Sequence, residues 1–223
     1  PSPQAFINAF SSIKNDEIGL YISLSSMLSG TYQTAMMVKE QNNYDNIYII
    51  DSKLASIGQK ELVNKALELI NNNLEINQIV NELELFKTKI KLIATLDSLK
   101  YLARGGRISP IVASIGNLLD IKPLLRASSE AKIESFCKVR GKKKAILKLV
   151  ETVKENIIDP ENQTVYIAHC DDLIEANSLK DLLLKFIPNI KNISIHQYDL
   201  CSGGHVGPSA LAIFYYGKSR LEK

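Results

Sequence analysis

Three short apolar runs, GLYISLSS (Gly19–Ser26), NIYIID (Asn46–Asp51) and KLIATLD (Lys91–Asp97), are separated by stretches of helical periodicity. That alternation constrains the fold more than any other feature of the chain. Parallel strands need a long crossover between them, and a helix is the usual way to make it. Apolar residues recur at helical spacing from Thr31 to about Asn43, from Ile57 to Asn72 and from Ile76 to Lys87, with an NNN turn between the last two. The first third of the chain is therefore expected to be α/β with a parallel sheet.

The remainder has a different grain. IVASIGNLL (Ile111–Leu119) reads as a compact apolar helix. IKPLLRAS and AKIESFCKVRG read as a hairpin turning around Ser128–Glu130. Helices are expected over Lys142–Ile157 and Leu173–Phe186, and strands at TVYIAHCDD and NISIHQYDL. A hairpin followed by helix–strand–helix–strand points to an α+β domain with a mixed sheet. The expected division is 1–89 for the α/β part and 90–223 for the α+β part.

Composition removes several classes of function. With 45% hydrophobic and 23% charged residues over 223 positions, the chain can bury a core and is not a disordered tail. A net charge of +3 with scattered basic residues argues against nucleic acid as a partner. Three widely spaced cysteines, Cys137, Cys170 and Cys201, suit a reducing compartment, and a cytoplasmic location is expected. No apolar run approaches the roughly 20 residues of a spanning helix, so peripheral contact at most is expected with a membrane. The chain opens at Pro1 without a methionine, and a preceding segment is expected.

Chemistry concentrates in three places. SLSSMLSGTYQTAMMV (Ser23–Val38) crowds hydroxyls where a strand hands over to a helix. A helix N-terminus has unpaired N–H groups and a partial positive charge, which together attract anions. Ser25, Ser26, Ser29 and Thr31 add neutral donors beside those groups, with Gly30 permitting an unusual backbone angle. A single capping serine would account for one hydroxyl, not for the cluster.

The second place is GGHVGPSA (Gly203–Ala210). Its glycines and Pro208 predict a constrained loop that presents His205 as a hydrogen-bond donor to an anion. His169 and His196 read as ordinary hydrogen-bonded residues. No HxxxH or CxxC spacing occurs, so no metal site is expected. The third place is YLARGGRIS (Tyr101–Ser109), where Arg104 and Arg107 flank two glycines and are expected to project from a tight turn. KVRGKKKA (Lys138–Ala145) is a basic turn, either a solvated face or a docking patch.

In combination these pieces resemble the DegV family, which includes the fatty-acid-binding (FakB) subunit of bacterial fatty acid kinase. The resemblance runs in order through PSPQAF, LSSMLSGTYQTA, the DS of IIDSKLASIGQ, TLDSLKYLARGGRIS, IKPLL, KVRGKKKA, HCDD and GGHVGPSALAIFYY. It implies a two-domain DegV-like fold whose first domain lacks its opening segment. It also implies that a family threonine in that segment has no counterpart here. GPSA stands where the family usually has GPGA, which bears on the turn at Ser209.

The resemblance implies a bound long-chain fatty acid and no other cofactor. Its carboxylate would be held by the serine-rich loop (Ser25, Ser26, Ser29 and Gly30) and by His205. It further implies a partner, the catalytic subunit of a fatty acid kinase, that phosphorylates the carboxylate while this chain presents it, with Arg107 and Arg140 facing that partner. The chain would then have no catalytic activity of its own. The residues by themselves leave two alternatives open. One is a hydrolase with Ser29 or Ser26 as nucleophile and His205 as base, although no G-x-S-x-G elbow is present. The other is a phosphate-ligand binder using the same helix N-terminus.

Overall fold

The computed structural model describes residues 1–108 and 120–221. The expected helix at Ile111–Leu119 lies outside the described residues. The chain divides into two compact units, Pro1–Lys87 and Thr88–Lys223.

The first unit holds β1 (Gly19–Ser23) and β2 (Ile47–Asp51), paired in parallel from Gly19↔Ile47 to Ser23↔Asp51. Around them lie α1 (Pro3–Phe10), α2 (Thr31–Asn42), α3 (Ile57–Asn71) and α4 (Ile76–Lys89). Helix α1 starts as its sequence dictates: Ser2 accepts a hydrogen bond from the Ala5 N–H, and Pro3 occupies the first turn, where no donor is needed. Phe6 and Phe10, one turn apart, bury against Ala35 and Val38 of α2 and Ile47 of β2. The Phe10 ring meets Tyr44 edge-on at 5.9 Å. Helix α3 buries Leu62, Ala66 and Leu69, a spacing that lines one helical face.

The second unit is built on a six-stranded sheet in the order β5-β4-β3-β8-β6-β7. Its strands are β3 (Ile90–Thr95), β4 (Ile121–Ala127), β5 (Ile133–Arg140), β6 (Thr164–His169), β7 (Asn192–Gln197) and β8 (Leu211–Tyr216). Only β6 and β7 run parallel; the other neighbouring pairs are antiparallel, so the sheet is mixed. The KLIATLD strand thus pairs with β4 and β8 and contributes nothing to the parallel pair of the first unit. Strand β8 takes a central place because LAIFY is buried along its whole length, the pattern of a strand covered on both faces.

Alternation along the strands sorts the core into two layers. Ile93 and Leu124 join Leu149 and Val153 of α6 (Lys142–Asn156) and Leu179 and Leu183 of α7 (Leu173–Phe186). Their neighbours Ala94 and Leu125 turn to the opposite face, with Leu96, Leu99, Leu102, Ile108 and Ala210. That second face carries two short helices, α5 (Lys100–Arg104) and α8 (Leu200–Val206).

Helix α8 corrects the sequence reading, which expects a loop around His205. Asp199 caps it, accepting from the N–H groups of Cys201 (2.8 Å) and Ser202 (2.9 Å). Those bonds hold the carboxyl of Asp199 below its usual range, chiefly through Ser202. Capping and packing on the sheet outweigh the low helix propensity of Gly203 and Gly204. The helix ends at Gly207, whose φ of 82° no other residue adopts easily. Among the described residues, no helix is long and apolar enough to cross a membrane.

Candidate functional site

The serine-rich segment forms a tight turn between β1 and α2. Ser25 anchors it: its N–H bonds the Leu54 carbonyl at 2.9 Å, and its carbonyl accepts from both Leu28 N–H (2.9 Å) and Ser29 N–H (3.1 Å). Ser25 is fully buried, and its hydroxyl oxygen accepts from the Met27 N–H. Ser26 donates twice to Asp51, from its N–H at 3.0 Å and from its hydroxyl at 2.5 Å. Its proton is therefore already engaged by a carboxylate.

Ser29 differs. Its oxygen lies 2.8 Å from the Thr31 hydroxyl and accepts from the Thr31 N–H at 3.3 Å. If Thr31 supplies the proton between the two hydroxyls, both lone pairs of Ser29 are filled and its own O–H is left to donate outward. Gly30, the residue before α2, gives no side-chain cap to that helix. It sits at φ −70°, ψ 2°, so the expected unusual backbone angle is absent. A side chain at Gly30 would meet nothing within 4 Å, and the start of α2 is open at that point.

The end of β2 holds this turn from below. Asp51 also accepts from the Lys53 N–H at 2.9 Å, with Lys53 in the left-handed region at φ 52°. The buried Lys87 ammonium donates to the Asp51 carbonyl at 2.9 Å and pairs with Glu84 at 2.6 Å. Burial first, then the carboxylates of Asp51, Glu84 and Glu40, push the Tyr32 phenol up.

In the second unit His205 lies in the last turn of α8, half-buried. Its imidazole packs directly on Gly105: a Cβ there would overlap Nδ1 and come within 2.9 Å of Cε1. Gly207, just past the helix, receives the ring of Tyr101 in the same way, with Cε2 2.6 Å from where a Cβ would stand. The two sequence motifs YLARGG and GGHVG thus interlock through their glycines.

Arg107 shares this corner and corrects a second expectation. Its guanidinium folds back to donate to the Gly105 carbonyl, so it does not project freely from the turn. Arg104 is exposed in the last turn of α5, where a cation suits the helix C-terminus. Arg140 is exposed at the end of β5, the edge strand. Lys142, at the start of α6, is tied to Asp172 at 2.6 Å. His169 is buried and accepts the Asp172 N–H at Nδ1, the role of an ordinary hydrogen-bonded histidine.

Sequence reasoning missed the apolar cavity beside His205. A small apolar pocket of about 60 Å3, partly open to solvent, is bounded by Leu92 and Ala94 of β3 and by Leu96 just beyond it, with Leu102, Leu125 and Val206 among its other walls. Leu102 follows Tyr101 and Val206 follows His205, so the cavity wall and the interlocked corner share two helices. Tyr198 also lines it, and burial pushes that phenol well above its ordinary range. The i, i+2 spacing of Leu92, Ala94 and Leu96 was a readable signal that one face of β3 is apolar.

Comparison with known proteins gives this geometry a context. A DegV domain-containing protein of Clostridium perfringens is 34% identical over 220 residues, 96% of this chain and 75% of that protein. The crystal structure of a fatty acid binding DegV family protein from Streptococcus agalactiae matches with a TM-score of 0.85 at 28% identity, covering 98% of this chain and 77% of that one. The Streptococcus pneumoniae fatty acid kinase B3 protein, loaded with linoleic acid, shares the fold with a TM-score of 0.84 at 23% identity over 98% of this chain and 77% of its own. The family profile described as "Uncharacterised protein, DegV family" matches residues 1–218, and the chain belongs to the DegV family.

Proposed function

We propose that this chain binds a long-chain fatty acid and presents its carboxylate to a separate kinase subunit for acyl-phosphate formation. The observation that carries the reading is the apolar cavity of the second unit, whose wall residue Val206 directly follows His205. The name of the Streptococcus agalactiae relative supports it.

The roles divide by chemistry. An acyl tail of palmitoyl length gains about 11 kcal/mol gross, at roughly 0.8 kcal/mol per methylene, which leaves tight binding after the usual association costs. A carboxylate drawn in with that tail needs several donors. We assign Ser29, the backbone around Gly30 and His205 as donors, each by its own chemistry. Ser25 and Ser26 shape the loop that carries Ser29. The chain acts as a carrier, and the phosphoryl chemistry belongs to the kinase. Arg140 is the exposed candidate for docking it, and Arg107 supports the corner at Gly105. A hydrolase gains nothing from Ser26, whose hydroxyl already donates to Asp51.

The test is a calorimetric titration of the delipidated chain with palmitate, methyl palmitate and inorganic phosphate. Saturable binding of palmitate, with the uncharged ester at least about tenfold weaker, is expected from the loss of charge-assisted hydrogen bonds. Equal binding of acid and ester would remove the carboxylate site. Binding of phosphate alone would favour the phosphate-ligand reading.

A further inference from the structure

We infer that Asp51 is the positioning residue of the serine-rich loop, holding it so that Ser29 faces the ligand. This rests on the fatty-acid reading above and deepens it. Three donors converge on one carboxylate: Ser26 N–H at 3.0 Å, Ser26 O–H at 2.5 Å and Lys53 N–H at 2.9 Å. Two come from the loop after β1 and one from the loop after β2, so Asp51 ties the two strand ends together. Lys87 fixes the same residue through its carbonyl.

The turn then follows mechanically. Ser26 is the first residue after the Ser25 anchor, and Leu28 and Ser29 hang from the Ser25 carbonyl. Releasing Ser26 frees the segment that orients the Ser29 hydroxyl. Asparagine keeps one oxygen, which can still accept the Ser26 and Lys53 N–H groups, but its NH2 in place of Oδ2 cannot accept the Ser26 hydroxyl, so the short charge-assisted bond is lost.

A carboxylate in an anion-binding loop has two opposed effects. It orders the donors, and it repels the ligand. Asp51→Asn separates them by sign, because loss of ordering weakens binding whereas loss of repulsion tightens it.

The experiment measures palmitate affinity by calorimetry for the delipidated full chain and for Asp51→Asn, Ser26→Ala, Ser29→Ala and the double variant Asp51→Asn/Ser29→Ala. Asp51→Asn and Ser26→Ala are each expected to bind about tenfold more weakly. In the Ser29→Ala background Asp51→Asn should cost less than about threefold, since it acts through Ser29. Ser26→Ala removes one hydroxyl only and serves if Asp51→Asn fails to fold. Unchanged or tighter binding by Asp51→Asn overturns the inference, as does a full tenfold loss that persists without Ser29. Amide exchange of the ligand-free chain reads the loop independently. Asp51→Asn should speed exchange at Leu28 and Ser29, and unchanged rates also overturn the inference. If wild-type protein binds no palmitate while exchange responds as stated, the fatty-acid reading and the ligand role of Ser29 fail, and only the tie to the loop stands.

Discussion

The imidazole of His205 rests on the Cα of Gly105, so close that a methyl group at that position would overlap Nδ1. Gly105 has φ −76°, ψ −7°, a conformation any residue adopts. The glycine is therefore required for space and not for its backbone angle. Gly105→Ala should displace the His205 ring with little damage to the rest of the unit. Palmitate affinity is expected to fall about tenfold, the loss of one hydrogen bond to a charged group. Calorimetric titration, with circular dichroism to verify folding, checks this.

Gly207 makes the opposite kind of demand. It has φ 82° and also lies under the Tyr101 ring. Gly207→Ala combines backbone strain of about 1–3 kcal/mol with overpacking of a similar size. It should destabilise the protein by more than about 2 kcal/mol, measured as a shift in the urea midpoint. Gly105→Ala should shift that midpoint far less.

Ser209 sits at φ 61°, in the left-handed region, at the point where the family usually has glycine. Its N–H bonds the Cys170 carbonyl at 2.8 Å, which keeps the strained conformation in place. A residue other than glycine pays about 1–2 kcal/mol there, offset in part by the greater freedom glycine loses on folding. Ser209→Gly should therefore stabilise the protein by about 0.5–1 kcal/mol, read as a higher thermal midpoint.

Asp199 links pH to the helix that carries His205. Its carboxyl is held below the ordinary value in the folded state, so its contribution is present above the unfolded pKa and lost as pH falls through the folded one. Wild type should lose its advantage over Asp199→Asn as pH drops below about 4. At neutral pH Asp199→Ala should cost about 1 kcal/mol through loss of the cap. Urea midpoints across pH for the three proteins test both statements.

The strands with clear apolar patterning, β1, β2 and the β4–β5 hairpin, were legible in the sequence, as were the long amphipathic helices. Helix α8 was not, because Gly203 and Gly204 argue against it locally and the Asp199 cap that favours it lies upstream. The place of β8 in the sheet was hidden because a uniformly buried run such as LAIFY does not name its neighbours. The hydroxyl cluster could be read as a group, but not the division of labour within it. That depends on Asp51, distant in sequence and reached only through the register Ser23↔Asp51. The DS of IIDSKLASIGQ entered the sequence reading only as part of the family resemblance, because an aspartate at a strand end is by itself common turn chemistry.

A long-chain fatty acid held by the chain should stay with it through purification. Mass spectrometry of an organic extract from purified, denatured protein tests it most directly, with delipidated protein titrated afterwards as the control. The extract should contain long-chain fatty acid at close to one per chain, and rebinding should be saturable and weakened about tenfold by Ser29→Ala and by His205→Ala. An extract free of fatty acid, together with no saturable rebinding, would contradict fatty-acid binding by this chain.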